Sequence, residues 1–486
     1  MHAVLWQPAA SLLLLAASSL VVWLSGERRQ RQGTIIALFA LLLSGALYLP
    51  LAAEIAAGRV LLAAYDLLPP LGLSLRLDTL SYAMIILFHC SGAILVLYML
   101  NYPFTQGGRR FKTAFLLIVA CATGVAAAGN IMSFFLFFEV MSLLFFILVI
   151  HHRTEKATAA ALKFLYMTIG GSVLFFMSTA IIFVRTGQAG WQAGLLQPGG
   201  LTTVAFIGYL VAFGIKAAMF PLHLWLADAY GEAPVPAMAL SSMIMLKTGA
   251  YGLIRFLYGV FGVELVHREG WSAVILILAT VTILYGSFCA FAAKDLLRRL
   301  AYSGMAQMGY IIFGIALLQP QALLGGIYHI FAHMLMKGTL ILCAGAILAK
   351  TGKRAVSELA GIGSEMPLTM ICFALASLTA VGLPPMNIFL TKWYLSQGAL
   401  AAGMPLMILV LLASSILNAA YYLPIVFNAF FGAKNRDLQK KLAWDRLSPA
   451  MAIPLLLLAA GCIAFNLLPV NYPLQWALNI TAGLMP

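Results

Sequence analysis

Charged residues are scarce in this chain of 486 residues, and acidic residues are the scarcest of them. Only 9% of the residues are charged, with 15 Asp and Glu against 29 Lys and Arg, whereas 63% are hydrophobic. A soluble fold of this length cannot bury so much apolar surface, and long apolar runs are typical of helices that cross a bilayer. The composition therefore predicts an all-α polytopic membrane protein that lies in the lipid bilayer.

Cysteine is also rare, and its distribution excludes several kinds of site. The six cysteines are Cys90, Cys121, Cys289, Cys343, Cys372 and Cys462. They stand singly in apolar segments, without a CxxC pair or a clustered histidine, which is typical of packing positions rather than of metal ligands. The sequence also lacks a GxGxxG motif, a phosphate-binding loop and a nucleophile elbow. We therefore predict neither a bound cofactor nor a metal site, so that any redox centre would belong to another chain.

Apolar runs of transmembrane length predict about fourteen helices. They begin near Val4, Thr34, Asp78, Thr113, Ile131, Ala161, Thr203, Val235, Trp271, Ala301, Ala322, Pro367, Met404 and Ala450. Three arginines follow the first run and no Lys or Arg precedes it. This order is the reverse of a cleaved signal peptide, so we expect the first run to be a transmembrane helix.

Positive charge is distributed unevenly between the connections. Nineteen Lys and Arg fall in connections that follow odd-numbered helices, and five fall in or beside the even ones. The last odd connection contains Lys434, Arg436, Lys440, Lys441 and Arg446. Because basic residues concentrate on the cytoplasmic side of membrane proteins, we expect both termini on the non-cytoplasmic side of the cell (inner) membrane. The basic balance thus indicates topology and no nucleic-acid binding.

Six ionisable residues lie inside apolar stretches. They are Glu139, Lys163, Lys216, Lys247, Lys337 and Lys392. An ionised side chain in hydrocarbon is expensive and persists where it is paired, hydrated or functional. Lys163 lies near the start of its helix, where its stem can reach the interface, and depth alone leaves Lys392 undecided. The other three lysines lie too deep for this, and we expect a buried lysine to be the partner of Glu139.

Two proline motifs predict broken helices, because proline removes a backbone donor and clashes with the preceding turn. Pro221 interrupts the seventh helix, and Pro384 and Pro385 interrupt the twelfth. A simple kink is the alternative, but each break has a lysine nearby, and broken backbone is tolerated where it lines a cavity. The spacing of the breaks predicts two inverted five-helix repeats at 113–259 and 271–431. Helices 1–3 (1–112) precede them, and a cytoplasmic loop and last helix (432–486) follow.

The eleventh helix carries His329, His333 and Lys337. Their spacing of four places all three along one helical face, where titratable groups can pass a proton through water. A metal site is one alternative, since two histidines four apart can share a metal, but no third ligand is evident nearby. Purely structural histidines are the other alternative.

Several segments together resemble one known family. They are 137–141 (FFEVM), 216–229 (KAAMFPLHLWLADA), 232–236 (EAPVP), 300–310 (LAYSGMAQMGY), the eleventh helix, and 382–385 (GLPP) followed by Lys392. This combination is similar to the antiporter-like subunits of the respiratory complex I superfamily. That family includes pump subunits of NADH:quinone oxidoreductase, membrane subunits of energy-converting hydrogenases and formate hydrogenlyases, and subunits of multi-subunit sodium/proton antiporters.

The resemblance implies fourteen helices and a polar ion pathway along the membrane midplane. By position, the implied pathway consists of Glu139 with Lys216, then Lys247, then His329, His333 and Lys337, then Lys392. Some family members have glutamate at the position of Lys392. The frequent Pro-Asp-Ala-His is here Ala-Asp-Ala-Tyr (227–230), which lacks the histidine. Because the chain ends soon after helix fourteen, without the long lateral helix of the largest homologues, we expect a mid-chain subunit of the array.

Three functions remain open at this stage. The first is a proton-translocating subunit of a redox-driven complex, of the NADH:quinone oxidoreductase or hydrogenase type. The second is a subunit of a multi-subunit sodium/proton antiporter, and the third is a structural membrane subunit without transport. Retained buried charges argue against the third. The expected partners are other membrane subunits, the lipid bilayer and protons, or sodium ions in the second case.

Overall fold

The computed structural model describes residues 5–65, 72–104, 107–432, 445, 447–467 and 471–485. The first helices are α1 (Gln7–Leu24), α2 (Gln30–Ala46), α3 (Ala52–Ala56) and α4 (Thr79–Met99). A hairpin of two antiparallel strands, β1 (Leu61–Tyr65) and β2 (Leu73–Leu77), lies between α3 and α4, with Leu61 opposite Leu77. The hairpin was not predicted from the sequence, because two five-residue strands are too short to be recognised among long apolar runs.

Two longer helical stretches follow. The first contains α5 (Gly108–Ala127), α6 (Ile131–Val149), α7 (Glu155–Thr186), α8 (Gly200–Lys216), α9 (Leu226–Glu232), α10 (Val235–Leu240) and α11 (Leu246–Phe256). The second contains α12 (Val263–Arg268), α13 (Trp271–Ala292), α14 (Leu296–Ala316), α15 (Pro320–Thr351), α16 (Pro367–Val381), α17 (Asn387–Ala401) and α18 (Met407–Phe431). The π-helical turn Ser241–Met245 joins α10 to α11, and a second π-helical turn, Leu257–Phe261, extends α11, so that Val235–Phe261 is one helix.

The chain closes with α19 (Pro449–Leu467) and α20 (Tyr472–Leu484). The sequence did not predict α20, which is too short to cross a bilayer. Its Trp476 packs against Tyr82 of α4 and Phe331 of α15. The predicted basic loop residues Lys434, Arg436, Lys440, Lys441 and Arg446 lie outside the described residues.

The multi-pass membrane fold is confirmed. Among the described residues, eleven helices are long and apolar enough to cross a membrane. The remaining three predicted spans are α14 and the two broken helices, α8 with α9 and α16 with α17. The chain is therefore an all-α polytopic membrane protein with about fourteen membrane helices.

Several helices begin earlier than their apolar runs. Four of them start at Gln30, Gly108, Glu155 and Leu296, rather than at the expected Thr34, Thr113, Ala161 and Ala301. Their first turns are polar or charged, which hydropathy counts as loop although the backbone is already helical. Side-chain caps fix two of these starts, because Thr154 accepts a hydrogen bond from the Ala157 N–H at 3.1 Å and Asp295 accepts one from the Arg298 N–H at 2.9 Å.

The helices differ in how much of their surface meets lipid. Val235–Phe261 and the apolar part of α15 are wholly buried inside the protein. Outer helices such as α1, α7 and α18 instead expose large apolar side chains, for example Leu13, Val184 and Ile416. Over these stretches the two central helices therefore have no lipid-facing side, and their polar groups are enclosed by the protein.

Candidate functional site

In the first broken helix the first half, α8, ends at Lys216. The backbone groups that the break leaves free are satisfied by neighbouring side chains. The indole of Trp225 donates to the carbonyl of Ile215 at 2.8 Å. The hydroxyl of Thr282 accepts from the Phe220 N–H at 2.9 Å. Buried backbone groups need such partners in a membrane protein, so the break is a built feature of the fold rather than a simple kink.

Lys216 is buried between aromatic rings and a serine. Only 2% of the residue is exposed, and its ammonium lies 5.1 Å from the ring centres of both Phe138 and Phe164. The ammonium donates to the hydroxyl of Ser142 on α6. Cation–π contacts and a hydrogen bond together stabilise a charge away from water.

Glu139 lies one helical turn before Ser142 and is half-buried. Its carboxylate accepts a hydrogen bond from Ser172 of α7. Glu139 and Lys216 act on each other electrostatically, but within the described part of the chain they form no ion pair within 4.0 Å. The structure therefore brings the two predicted partners close together with a serine bound to each, and not into direct contact.

Lys163 lies apart from this buried group. Its ammonium is 2.8 Å from the carboxylate of Asp228, which also lies 3.6 Å from Arg298. The Lys163 and Asp228 side chains are 42% and 36% exposed. An ion pair with this exposure is typical of a helix end at the interface, as the sequence suggested for Lys163.

Lys247 and His333 are in direct contact at the centre of the protein. The Lys247 ammonium lies 2.6 Å from Nδ1 of His333, and both residues are completely buried. The ammonium also donates to the carbonyl of Ser242, which belongs to the π-helical turn before α11. A π-helical turn of this kind often marks a functional position in a helix.

Gly249 brings α11 against the first break. A side chain at Gly249 would lie 2.6 Å from the backbone nitrogen of Ala217 and 2.9 Å from Cβ of Lys216. Only glycine permits this approach without a clash. The helix that carries Lys247 therefore packs directly on the residue pair at the end of α8.

In the second broken helix, Lys392 lies on the second half, α17, and its side chain contacts the end of the first half, α16. The Lys392 ammonium donates to the carbonyl of Val381 at 2.7 Å and to the hydroxyl of Ser415 at 2.6 Å. Val381 is the last residue of α16, where the helix dipole favours a cation. Gly382 has φ +87°, and a side chain there would meet the Lys392 side chain at 3.0 Å.

A row of aromatic and imidazole rings lies between Lys392 and Lys247 at the centre of the protein. The ammonium lies 5.3 Å from the ring centre of Tyr310, whose ring lies 5.4 Å from that of His329. The His329 and His333 rings stack with centres 5.8 Å apart. Both His329 nitrogens and Nε2 of His333 are buried without a hydrogen-bond partner among the described residues. Buried polar atoms are usually bonded to protein or to ordered water, so these nitrogens are positions for water.

Lys337 lies on the other side of His333 from this row of rings. Its ammonium donates to the carbonyl of Leu300 and to the hydroxyl of Tyr422, both at 3.0 Å, and to Ser303. Ser303 and Tyr422 are themselves hydrogen-bonded at 2.7 Å. The three predicted residues of α15 therefore diverge from His333 in two directions, rather than forming one line toward Lys392.

Several contacting residues were not singled out from the sequence. They are Ser142, Ser172, Ser242, Ser303, Tyr310, Ser415 and Tyr422. Ser303 and Tyr310 stood within the 300–310 segment, and Ser142 follows Glu139 by one turn, so these three had a signal. Ser415 and Tyr422 had none, because isolated hydroxyls are common in apolar helices. Among the described residues, no three His, Cys, Asp or Glu side chains are grouped so that they could hold a metal ion.

Comparison with known proteins gives a family match over most of this site. The family described as "NADH:quinone oxidoreductase/Mrp antiporter, TM" matches residues 128–418, more than half of the chain. One relative is the NADH-quinone oxidoreductase subunit N of Desulforudis audaxviator. It is 34% identical over 441 residues, which cover 84% of this chain and 86% of the relative.

Two solved structures have a similar fold. One is the membrane-bound sulfane sulfur reductase, an archaeal respiratory membrane complex, in which a chain matches with a TM-score of 0.87 at 24% identity, covering 98% of this chain and 96% of that one. The other is the Mrp complex from Dietzia sp., with a TM-score of 0.86 at 23% identity, covering 98% and 97%. At these identities the likeness concerns the fold alone.

Proposed function

The chain belongs to the NADH:quinone oxidoreductase/Mrp antiporter transmembrane family, and we propose from this premise that it is the proton-translocating subunit of a redox-driven membrane complex. One observation carries the proposal. Protonatable groups succeed one another from Lys216 through Lys247, His333 and His329 to Lys392, and all are buried except Lys392, which is partly buried. Lys247 and the two histidines belong to the two central helices that have no lipid-facing side. Buried ionisable residues in membrane helices mark ion pathways by default.

Glu139 and Lys216 form the proposed switch. Two unit charges roughly 4 Å apart attract with about 4 kcal/mol at an effective dielectric of 20, which corresponds to about a thousandfold change in proton affinity. When Lys216 moves from Ser142 to Glu139, its ammonium keeps the proton. When it moves away, the proton passes to Lys247, which lies on the helix packed against the break.

The histidines then carry the proton onward. Lys247 protonates Nδ1 of His333, with which it is in contact, and Nε2, which has no hydrogen-bond partner among the described residues, releases a proton to water beside His329. His329 delivers it past Tyr310 toward Lys392. Lys337 is not a step in this route: held by Ser303 and Tyr422, it acts on His333 electrostatically.

Neighbouring subunits and orientation also belong to this proposal. Both termini face the non-cytoplasmic side, as the basic connections indicate. Glu139 is half-buried, and beside it Leu136, Val140 and Leu143 are exposed. A carboxylate in such a surface is costly in lipid. We propose that this face meets another membrane subunit, whose charge change opens and closes the switch.

The two five-helix repeats, 113–259 and 271–431, remain part of the proposal. Each would contribute one broken helix as its fourth member, α8 with α9 and α16 with α17. Opposite orientation of the repeats would direct the two breaks toward opposite sides of the membrane.

Replacement of Glu139 by Gln and of Lys216 by Met tests the function. In the assembled complex reconstituted in vesicles, both variants are expected to lose proton translocation, followed with a pH-sensitive dye during redox turnover. Lys163→Met is the matched control, since it removes a lysine that lies outside the proposed route from Lys216 to Lys392. Full pumping by both test variants would rule out the proposed switch.

A sodium/proton antiporter subunit is the second candidate, because the matched family includes Mrp antiporters. The same vesicles distinguish the two candidates. An antiporter subunit would move protons in response to a sodium gradient without any electron donor, whereas a redox-driven pump would require the donor.

A further inference from the structure

A strongly basic cleft lies apart from the proposed proton route, where α1 and α6 end and α5 begins. The cleft has a volume of roughly 490 Å³, and its lining includes Arg109, Arg110, Arg153, His151, His152 and a single acidic residue, Glu27. These residues lie just after α1, in the first turn of α5 and just after α6. They belong to odd connections, which are proposed to face the cytoplasm. We propose that this basic cleft binds the phosphate group of an acidic phospholipid.

Within the described part of the chain, the arginines of the basic cleft have only one acidic partner, Glu27. Arg109 is 4.0 Å from Glu27, and these side chains are 32% and 45% exposed, so that this pair contributes little. Arg110 is close enough to Arg153 for the two positive charges to repel each other. Within the described ranges, Nε of Arg109 and Nε of Arg110 are buried and have no hydrogen-bond partner. Bound phosphate would relieve the repulsion between the guanidinium groups and accept from their exposed N–H groups.

The guanidinium groups are also held in place before any ligand arrives. Arg109 lies 4.5 Å from the ring centre of Trp23 and donates to the Trp23 carbonyl at 3.2 Å. Arg110 donates to the carbonyl of His151 at 3.5 Å. Guanidinium is suited to phosphate because its N–H groups match two phosphate oxygens at once. Such fixed donors favour a phosphate oxyanion over a diffuse counter-ion.

The surroundings favour a lipid over free phosphate. The surface of α1 that leads from the basic cleft into the membrane exposes Leu20, Val21 and Leu24. Acyl chains attached to the bound phosphate would cover these side chains. Basic pockets between membrane helices on the cytoplasmic side are suited to acidic headgroups, and each basic residue contributes about 1 kcal/mol.

Thermal unfolding of the purified complex in detergent tests the assignment. Phosphatidylglycerol, phosphatidylcholine and inorganic phosphate are added separately at equal ionic strength, and the shift in Tm is followed against concentration. We expect phosphatidylglycerol alone to raise Tm. In the Arg110→Gln/Arg153→Gln double variant its apparent affinity should fall about thirtyfold, which corresponds to two lost charges. The control Arg268→Gln, which removes an exposed charge elsewhere, should behave as the wild type.

Each other outcome overturns the proposal. Equal shifts with inorganic phosphate and phosphatidylglycerol would mean a free-anion site, and equal shifts with phosphatidylcholine would mean that the headgroup charge is not recognised. Unchanged affinity in the double variant would mean that the lipid binds elsewhere. If the double variant does not assemble, Arg153→Gln alone, a change outside the helices, should still weaken binding about fivefold.

Discussion

The two broken helices each present a lysine, buried at Lys216 and partly buried at Lys392, but they hold it with different chemistry. Lys216 is the last residue of its first half-helix and contacts Ser142, with the carboxylate of Glu139 one turn away. Lys392 belongs to its second half-helix and reaches back to the carbonyl of Val381 and to Ser415. Among the described residues, no carboxylate forms an ion pair with Lys392.

This difference separates a switchable lysine from a fixed one. The proton affinity of Lys216 can change with the position of Glu139, because a charged partner can approach or retreat. Lys392 is held by a helix end and a hydroxyl, which do not change charge. The first break is therefore suited to receive an external signal, and the second is suited to be the end of the route.

Reversal of charge at the second break should give the largest effect. Lys392→Glu would place a carboxylate against the carbonyl of Val381, where the chain offers a cation site. Lys392 is partly exposed, and loss of its bond leaves the carbonyl of Val381 facing a second acceptor, which costs about 1–3 kcal/mol. We therefore expect a lower Tm and a loss of proton translocation. This holds although some relatives were expected to have glutamate there. A variant that assembles and pumps normally would show that the second break can also use a carboxylate.

Removal of the serine at each break sharpens the comparison. Ser142→Ala leaves Lys216 free to pair with Glu139, and locking of the switch should slow pumping about tenfold, equivalent to about 1.4 kcal/mol. Ser415→Ala leaves Lys392 its bond to Val381. Its effect should be a loss of about 1 kcal/mol in stability with little change in pumping rate. Initial rates in vesicles and Tm values give both quantities, and equal pumping defects would remove the proposed distinction between the breaks.

A smaller effect is expected from changes around Lys337, which lies off the proposed route. Tyr422→Phe removes one hydrogen bond to Lys337 and one to Ser303 but keeps the ring. Because Ser303 and Leu300 still hold the ammonium, we expect a loss of about 1 kcal/mol in stability. Proton translocation should remain near the wild-type rate. A loss of pumping comparable with that of Lys216→Met would put Lys337 on the route itself.

The sequence allowed the fold and the site residues to be proposed, for a physical reason. Charges are so expensive in hydrocarbon that Glu139 and the deep lysines stand out against their apolar surroundings. The prolines at 221 and 384–385 likewise marked both breaks, since proline removes a backbone donor and clashes with the preceding turn. Proline alone does not decide this, because α18 and α19 continue through Pro424 and Pro454. The approximate number of membrane helices followed from apolar length alone.

Other features depend on contacts that no local pattern contains. The direct contact between Lys247 and His333 joins residues 86 positions apart. The placement of Lys337 away from Lys392 follows from its contacts with Ser303 of α14 and Tyr422 of α18, and spacing along α15 could not reveal it. The hairpin and α20 were missed because short elements are set by tertiary packing rather than by periodicity.

Proton translocation by a Lys247→Met complex tests the central claim most directly, because Lys247 contacts His333 and lies on the helix that packs against the first break. The variant is compared with wild type and with Lys163→Met in vesicles, at matched redox turnover. Removal of a proton-transfer group typically costs a hundredfold or more in rate. We predict that the variant translocates no measurable protons through this chain while Lys163→Met pumps normally. Wild-type pumping by Lys247→Met would contradict a proton route through the centre of this protein.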